Sequence, residues 1–289
     1  MKPKKILITG GSGFIGKNLV DILGKKNYKI FCLVRKNKKS KKNLIYLKSN
    51  LLNKIKFNEL CDIIIHCSAK SPINNKFTHH DYKNNIIMTK NLIDHSKKFK
   101  PKKIIFLSSL SINGNIISLK VNEKTRNLNP DLYGKSKLVC ENLLKKVSNR
   151  IPVISIRLPG VIGKNSVRNW LSTLIKDIKK KKTISVYNMN GPFNNTIHVD
   201  DLGKFILKLI DLNFKKFNKV CVATKNPVKI FEIIELLKKI YRFKIKKIKI
   251  KQTNKKNFLI DYQKAKKNFN YIPSSTKRTL IKFFKENNL

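Results

Sequence analysis

The first half of the chain alternates short apolar runs with longer amphipathic segments. Ile- and Val-rich runs that are apolar almost throughout are typical of parallel strands covered on both faces. They predict strands at residues 5–9, 29–34, 44–47, 62–67, 103–108 and 153–158. Between them, apolar residues recur with the helical period and predict helices at 15–25, 84–98 and 133–148. This alternation predicts an α/β fold built on a doubly wound parallel sheet.

The pattern changes from about residue 165 onwards. It predicts helices at 170–180, 201–212 and 231–241, and strands at 183–187, 220–223 and 243–251. We therefore expect residues 1–164 to form a Rossmann-like NAD(P)-binding domain, to which later segments around 193–225 return. Residues 165–289 are expected to form mainly a small C-terminal α/β cap that binds substrate.

The formal net charge of +49 raises the question of nucleic-acid binding. Only seven of the 65 basic residues are Arg, the side chain that reads bases and phosphates best. The lysines are spread along most of the chain, which is typical of a solvated surface. We predict no specific nucleic-acid partner, but the positive field should attract anionic small molecules such as dinucleotides.

The cysteine content and the hydropathy of the chain indicate the cellular compartment of the protein. The five cysteines are odd in number, form no Cys-x-x-Cys pair and lie mostly in apolar runs, as buried free thiols do. No apolar run approaches the roughly 20 residues of a membrane-spanning helix. We predict a cytoplasmic protein without membrane insertion. No spacing of His, Cys and acidic residues indicates a metal site.

A glycine-rich segment follows the first predicted strand and opens the first helix: Thr9-Gly10-Gly11-Ser12-Gly13-Phe14-Ile15-Gly16. Glycines at this spacing permit a tight turn, close approach to a pyrophosphate and close helix packing, with the anion against the amides of the helix N-terminus. The segment therefore predicts a dinucleotide site. Its predicted cofactor-binding residues are Thr9, Gly10, Gly13, Phe14, Ile15 and Gly16.

Arg35 follows the second predicted strand, at the position where an acidic residue usually binds the ribose hydroxyls of NAD. No carboxylate occurs between Tyr28 and Asn58. An arginine in this place accommodates a 2′-phosphate. We therefore predict an NAD(P) cofactor and favour NADP(H) slightly over NAD(H), with an ordinary surface cation as the alternative.

Tyr133 and Lys137 stand four residues apart and so share one face of a predicted helix. A phenol has a pKa of about 10, and a nearby ammonium favours its ionised form. The tyrosine can then exchange a proton with a substrate hydroxyl while hydride moves to or from nicotinamide. Ser109 lies at the carboxyl end of a predicted strand, where ligands bind in open α/β sheets.

Further segments occur in a characteristic order, and together with the site they resemble the extended short-chain dehydrogenase/reductase family, in its NAD-dependent epimerase/dehydratase branch. The segments are Cys61-Asp62-Ile63-Ile64-Ile65-His66-Cys67-Ser68-Ala69, Asn85, Arg157-Leu158-Pro159-Gly160-Val161-Ile162-Gly163, His198-Val199-Asp200-Asp201, and Asp261, Lys264 and Ala265 followed by Tyr271 and Pro273. The resemblance covers nearly the whole chain.

The resemblance implies a role for each matching residue. Ser109 hydrogen-bonds the substrate oxygen, Tyr133 is the acid/base, and Lys137 holds the ribose and lowers the tyrosine pKa. It further implies cofactor contacts from Cys67, Ser68, Ala69, Asn85, Ser108, Tyr133, Lys137, Pro159 and Val161. The substrate-binding residues predicted with it are Ser109, Ser111, Asn113, Tyr133, Arg168 and Asn194.

Departures from the family pattern narrow the reaction. The 4,6-dehydratases carry an Asp-Glu pair after the catalytic hydroxyl, whereas Leu110 and Ser111 stand here, so dehydration is not expected. Asn113 before the glycine resembles a branch linked to surface-polysaccharide sugars.

The diphosphate contacts of the family are less well matched. Relatives that bind nucleotide sugars commonly place an Arg in the stretch held here by Phe193-Asn194-Asn195. Some epimerases have an Asn where Gly160 stands. Arg168, or the lysines at 251, 255 and 256, could supply the charge instead.

Three functions remain open from the sequence. The first is a nucleotide-sugar 4-epimerase or 4-ketoreductase that uses the Ser-Tyr-Lys site. The second is an NADPH-dependent reductase of a non-nucleotide carbonyl compound. The third is a dinucleotide-binding protein without catalysis, which the presence of Ser109, Tyr133 and Lys137 disfavours. Relatives pair through two helices, one of which carries the Tyr-x-x-x-Lys segment, so we also expect a homodimer.

Overall fold

The computed structural model describes residues 2–73, 76–180, 182–241, 248–251 and 257–287. Up to residue 158 the elements are β1 (Lys4–Thr9), α1 (Phe14–Leu23), β2 (Tyr28–Val34), β3 (Leu44–Lys48), β4 (Ile63–His66), α2 (His79–Phe99), β5 (Lys103–Ser109), a 3₁₀ helix (Leu110–Asn113), β6 (Lys120–Val121), α3 (Leu132–Val147) and β7 (Val153–Leu158).

The later elements are shorter on average. They are β8 (Gly160–Ile162), α4 (Trp170–Lys179), β9 (Ile184–Tyr187), β10 (Pro192–Phe193), β11 (Thr196–His198), α5 (Val199–Asp211), β12 (Phe217–Cys221), β13 (Val228–Lys229), α6 (Ile230–Tyr241), β14 (Ile248–Lys251), β15 (Leu259–Ile260), α7 (Gln263–Phe269) and α8 (Thr276–Glu286).

A seven-stranded sheet forms the largest element of the fold, with the strand order β12-β7-β5-β4-β1-β2-β3. The pairs β1–β2, β1–β4, β2–β3 and β4–β5 are all parallel. The strands at its centre are buried almost throughout, as the continuous apolar runs predicted. The predicted doubly wound, Rossmann-like sheet is confirmed. The strand order reverses between β1 and β4, and ligands bind at the carboxyl ends of such a switch point.

The chain divides into two compact units. The first unit comprises Met1–Gly114, Asn127–Arg157 and Gly203–Val220, and the second comprises Asn115–Arg126, Leu158–Leu202 and Cys221–Leu289. Apolar side chains of the sheet and of α2 and α3 form the core of the first unit. The second unit has a core of its own from α4, β9, α6 and α8. The assignment of cofactor and substrate to the predicted parts, 1–164 and 165–289, stays a prediction.

The structure corrects several predicted boundaries. The helix predicted at 84–98 begins at His79, because Thr78 and Asp81 form a reciprocal capping box. His79 and His80 therefore occupy the first turn of α2. The helix predicted at 201–212 begins at Val199, so that Asp200 and Asp201 both lie in its first turn.

Other elements were missed or lie partly outside the described residues. The two-residue strands, β8, β11 and α7 have no counterpart in the predicted elements, because runs of two to seven residues carry little periodicity. α8 was missed as well, although its buried residues recur with the helical period: Thr276, Thr279, Leu280, Phe283 and Phe284. Of the strand predicted at 243–251, only Ile248–Lys251 is described, and it is a strand. Within the described ranges, none of the helices has the length and apolar character needed to cross a membrane.

Candidate functional site

The glycine-rich segment forms a tight turn between β1 and α1. Gly10 has a φ of 72°, a left-handed conformation that favours glycine, and an added Cβ there would lie 2.8 Å from the backbone nitrogen of Ser68. A Cβ on Gly16 would lie 2.2 Å from the carbonyl oxygen of Gly10. Gly13 caps α1 without a side-chain hydrogen bond. The predicted spacing therefore produces a tight turn that leads directly into the N-terminus of α1, with no room for a Cβ at Gly10 or Gly16.

Thr9 at the end of β1 is buried, and its hydroxyl is used within the protein. Its Oγ1 accepts a hydrogen bond from the Ser68 backbone N–H at 3.2 Å and lies 2.7 Å from His66 Nδ1. The contact of Thr9 with the cofactor stays a prediction. Because the hydroxyl is used within the protein, the backbone of Thr9 is the group left to make this contact. Phe14 and Ile15 are half-buried at the start of α1, and Cys67, Ser68 and Ala69 are half-buried directly after β4.

Ser108 and Ser109 end β5 at the same edge of the sheet as the glycine-rich segment. The Ser108 hydroxyl oxygen is buried and has no hydrogen-bond partner among the described residues. Ser109 Oγ donates to Ser111 Oγ at 3.1 Å and accepts from the Ser111 backbone N–H at 3.1 Å. Asn113 closes this 3₁₀ turn and is fully buried. Ser109 is therefore held in one place, half-exposed, by a turn that it caps itself.

Tyr133 and Lys137 lie on the first turns of α3, whose N-terminus is capped by the Asp131 carboxylate. The Lys137 ammonium lies 6.0 Å from the centroid of the Tyr133 ring and donates to the Leu107 carbonyl at 2.7 Å. Burial lowers the pKa of Lys137 from its ordinary value, and the neighbouring thiols and Glu141 partly oppose this. The predicted pair is thus adjacent, with its cation in a nearly dry environment.

Gly134, between the two, allows α3 to approach the serine turn. A Cβ at this position would lie 2.1 Å from the Ser111 carbonyl oxygen and 3.0 Å from Pro130 Cβ. Only a glycine therefore permits this spacing between the helix and the turn.

Asn85 on α2 connects the segment after β4 with α3. Its Oδ1 accepts from the Lys70 backbone N–H at 2.7 Å, and its Nδ2 donates to the Lys70 carbonyl and to Ser136 Oγ, both at 3.0 Å. Ser136 in turn donates to the Tyr133 carbonyl at 2.7 Å. The side chain predicted to contact cofactor is thus bonded on both sides to protein groups that surround the site.

Arg35, in the first unit, is exposed directly after β2. The other predicted site residues belong to the second unit. Asn194 is buried, and its amide pairs with the backbone of Ile260: Nδ2 donates to the carbonyl at 2.9 Å and Oδ1 accepts from the N–H at 2.8 Å. Pro159 and Val161 are half-buried beside or within β8. Arg168 is exposed and has a φ of 71°. Lys251 is described at the end of β14, whereas lysines 255 and 256 lie outside the described residues.

His198, Asp200 and Glu286, also in the second unit, form one cluster with the ligand types of a metal site. His198 Nε2 lies 3.0 Å from Glu286 Oε2, and the Lys282 ammonium pairs with Asp200 and approaches Glu286 Oε1 to 3.7 Å. Lys282 therefore already supplies a cation to both carboxylates. The cluster joins the start of α5 to α8 within this unit.

The sequence did not identify three residues that shape the site: Gly134, Ser136 and Thr89. Thr89 Oγ1 donates to the Asn85 carbonyl at 3.0 Å and lies 3.2 Å from His66 Nε2. Its position four residues after Asn85, on the same face of α2, was the available signal. Gly134 carried none, because the need for glycine depends on a neighbour 23 residues earlier in the chain.

Known proteins resemble this chain along most of its length. A dTDP-D-glucose 4,6-dehydratase from Dictyostelium discoideum is 31% identical over 69% of this chain and 54% of its own length. The chain thus spans little more than half of that relative. A putative UDP-glucose 4-epimerase from Methanocaldococcus jannaschii is 27% identical over 81% of each chain.

A solved structure has the same fold. The UDP-N-acetylglucosamine 4-epimerase from Methanobrevibacter ruminantium M1 superposes with a TM-score of 0.84 over 99% of this chain and 98% of its own, at 21% identity. Residues 6–221 match the NAD dependent epimerase/dehydratase family. The predicted family of extended short-chain dehydrogenases is therefore confirmed, and the chain belongs to the NAD dependent epimerase/dehydratase family.

Proposed function

We propose that this protein is an NAD(P)-dependent nucleotide-sugar 4-epimerase or 4-ketoreductase whose site consists of Ser109, Tyr133 and Lys137. The observation that carries the proposal is the position of the Lys137 ammonium, buried and 6.0 Å from the centre of the Tyr133 ring. A cation at this distance in a dry site favours the phenolate. A tyrosine that ionises near neutral pH is suited to exchange a proton with a sugar hydroxyl or ketone.

Each residue then has one task. Tyr133 accepts a proton from the substrate hydroxyl, or returns one to the ketone oxygen. The Ser109 hydroxyl has one proton, which it donates to Ser111 Oγ, while the Ser111 N–H holds its oxygen in place. When substrate binds, the hydroxyl turns this proton to the same substrate oxygen and orients it. Lys137 stabilises the charge that Tyr133 acquires. A bound dinucleotide would supply or receive the hydride.

The residues present fit a dinucleotide. The turn at Gly10 and Gly16 has no room for a Cβ and leads from the end of β1 directly into the N-terminus of α1, where an anion binds favourably. The buried Ser108 hydroxyl has no partner among the described residues. Arg35 is exposed directly after β2, where the 2′-position of the adenosine ribose is bound in folds of this kind. The family is NAD-dependent, and we extend the proposal to a modest preference for NADP(H) because no carboxylate occupies this position.

Dehydration is not proposed, although one relative carries the name of a 4,6-dehydratase. Elimination of water from a sugar needs a second acid and base beside the tyrosine. Leu110, which follows Ser109, is buried, and the Ser111 hydroxyl is bonded to Ser109. Neither is a carboxyl group, so the site supports hydride and proton transfer at a single carbon.

The experiment is a substrate survey with product analysis by chromatography and NMR. The protein would be incubated with UDP-glucose, UDP-galactose, their N-acetyl forms and a dTDP-4-keto-hexose, each with NAD⁺, NADH or NADPH. Inversion at C4 without net change in cofactor is expected of an epimerase, and reduction of the keto-sugar by NADPH is expected of a ketoreductase. The Tyr133→Phe variant is the matched control and should slow either reaction by about 10²- to 10⁴-fold.

Two other outcomes would replace the proposal. Turnover of simple aldehydes or ketones with NADPH, but of no nucleotide sugar, would favour a reductase of non-nucleotide carbonyl compounds. The specific observation in favour of this alternative is Asn194, whose amide is bonded to Ile260 at a position where relatives commonly bind phosphate with Arg. Tight cofactor binding without any turnover would instead indicate a non-catalytic dinucleotide-binding protein.

We further propose a homodimer formed through α2 and α3, and a role in surface-polysaccharide sugar synthesis. α2 exposes Ile87, which is 40% accessible, on the surface of the first unit. Light scattering after gel filtration should give twice the 33.5 kDa of the chain. All five cysteines are free thiols, which supports the expected reducing, cytoplasmic compartment.

A further inference from the structure

A row of three buried side chains crosses the sheet at the carboxyl ends of its central strands. Thr9 on β1 is in register with His66 on β4, and His66 is in register with Phe106 on β5. The His66 and Phe106 rings stack, with centroids 5.5 Å apart and planes at 27°. The Lys137 ammonium lies 4.7 Å from the centroid of Phe106. The row therefore runs from the glycine-rich segment to the cation of the site.

The hydrogen bonds along this row have one consistent direction. Thr9 Oγ1 accepts from the Ser68 N–H, so its own proton is available to His66 Nδ1 at 2.7 Å. Thr89 Oγ1 donates to the Asn85 carbonyl, so it accepts the proton of His66 Nε2 at 3.2 Å. This assigns a neutral imidazole with its proton on Nε2, and both ring nitrogens are used.

The surroundings keep this ring neutral. Burial, and then the charge of Lys137, lowers the pKa of His66 to about 3. The groups that face the ring are the hydroxyls of Thr9 and Thr89 and the Phe106 ring, and among the described residues Lys137 is the cation that acts on it. The thiols that act on Lys137 are those of Cys67 and Cys140, and burial raises the pKa of each.

A buried ammonium needs compensation, because burial lowers the pKa of Lys137. Two contacts of Lys137 favour the charged form: the Leu107 carbonyl at 2.7 Å and the face of Phe106. If the His66 imidazole, which stacks on Phe106, were protonated, it would repel the ammonium. A neutral imidazole does not. The position of Phe106 and the neutrality of His66 therefore both act on Lys137.

We propose that His66 is a positioning residue for Lys137. The hydroxyls of Thr9 and Thr89 fix its ring, and the ring holds Phe106 against the ammonium. Thr9, the first residue of the glycine-rich segment, thereby affects the position of the charge that acts on Tyr133. The inference rests on the proposed function only in that Lys137 is taken to act on Tyr133. Thr9 and Thr89, which fix the His66 ring, then position Lys137 through it.

The test measures the ionisation of Tyr133 directly and needs no substrate. The ultraviolet absorbance of tyrosinate would be titrated against pH, and the curve of Tyr133→Phe would be subtracted from that of each protein. Burial raises the pKa of five other tyrosines, which keeps them silent in the neutral range: Tyr28, Tyr46, Tyr241, Tyr262 and Tyr271. Four variants would be compared: Thr9→Val, Thr9→Ser, Thr89→Val and Thr89→Ser.

The valines keep the shape of threonine and remove the hydroxyl, whereas the serines keep the hydroxyl. We expect Tyr133 of the unsubstituted protein to titrate well below the usual range of phenols. Each valine should raise the midpoint by about one pH unit, a shift of the size that one nearby charge produces. Each serine should restore it. Thr9→Val also removes the Ser68 contact, and Thr89→Val also removes contacts with Cys140 Sγ and the Asn85 carbonyl. A shift of the same size in both valine variants is therefore carried by His66, the one group that both hydroxyls contact.

His95 provides the matched control. It is another buried histidine, and it lies on α2, whereas His66 lies on β4. It packs against Phe57 and Phe99, and burial lowers its pKa to about 4. His95→Gln should reduce thermal stability without moving the Tyr133 midpoint. If the valine variants likewise lose stability with an unmoved midpoint, His66 only supports the fold and the inference is wrong. If the unsubstituted protein shows no Tyr133-dependent titration in the neutral range, the proposed role of Lys137 itself fails.

Discussion

The two compact units use their buried polar side chains differently. In the first unit, polar groups from β1, β4, β5, α2 and α3 bond to one another around the predicted catalytic pair of Tyr133 and Lys137. In the second unit, the amide of Asn194 holds the backbone of Ile260, and Arg168 lies exposed in a loop. The predicted catalytic pair is therefore fixed on a regular element, whereas the two predicted substrate-binding residues of the second unit hold the backbone or lie in a loop.

This difference shows which part of the proposal is better supported. The arrangement of the first unit supports the proposed proton transfer by a tyrosine beside a buried lysine. Recognition of a diphosphate has no comparable arrangement among the described residues of the second unit. The following predictions test that contrast.

The largest effect is expected from Tyr133→Phe. Removal of the phenolic hydroxyl should lower turnover by about 10²- to 10⁴-fold, the usual contribution of a general acid or base. Cofactor affinity should change little, since the hydroxyl serves the substrate. Steady-state kinetics on the substrate found in the survey would measure this, with the exposed Tyr187→Phe as control. Full turnover by Tyr133→Phe would refute the assigned mechanism.

Gly134→Ala should disturb the site through packing. Alanine is favoured over glycine inside a helix by about 1 kcal/mol, so a simple helix would be stabilised. Here the new Cβ would lie 2.1 Å from the Ser111 carbonyl oxygen, and we expect a net loss of about 1–3 kcal/mol in the free energy of unfolding. Urea unfolding would measure it. Gly160→Ala, whose Cβ would meet nothing closer than 3.4 Å, should be nearly neutral.

Asn194→Ala tests the second unit. It leaves the buried N–H and carbonyl of Ile260 without their partner, which should cost about 1–3 kcal/mol in the free energy of unfolding. Asn58→Ala, at an exposed position, should cost almost nothing. A large increase in the substrate KM at unchanged stability would show instead that Asn194 serves the substrate directly.

Arg35→Ala should have the smallest effect. Loss of one charged contact to an exposed 2′-phosphate should weaken NADPH binding about tenfold, while NADH binding stays unchanged. Arg150→Ala, another exposed arginine of the first unit, should alter neither affinity. Titrations at physiological salt would compare the two, because a chain with this charge attracts any polyanion weakly. An equal fall for both cofactors would assign Arg35 to the shared phosphates.

The sequence was most informative where periodicity and spacing are strong. Continuous apolar runs predicted the central strands, and the glycine spacing predicted the turn at Gly10. It was least informative where the environment of a residue depends on distant chain segments. Nothing near Asn194 indicates that its amide pairs with Ile260, 66 residues later. The stack of His66 with Phe106 likewise depends on the strand order, which places β4 beside β5.

The most direct test of the central claim is the affinity of the glycine-rich segment for a dinucleotide. NADPH and NADH would be titrated by fluorescence into the unsubstituted protein and into Gly16→Ala, whose Cβ would lie 2.2 Å from the Gly10 carbonyl oxygen. We predict saturable binding of at least one cofactor to the unsubstituted protein and its loss in a Gly16→Ala variant that remains folded by circular dichroism. Absence of binding to the unsubstituted protein, or equal binding by both proteins, would contradict the account.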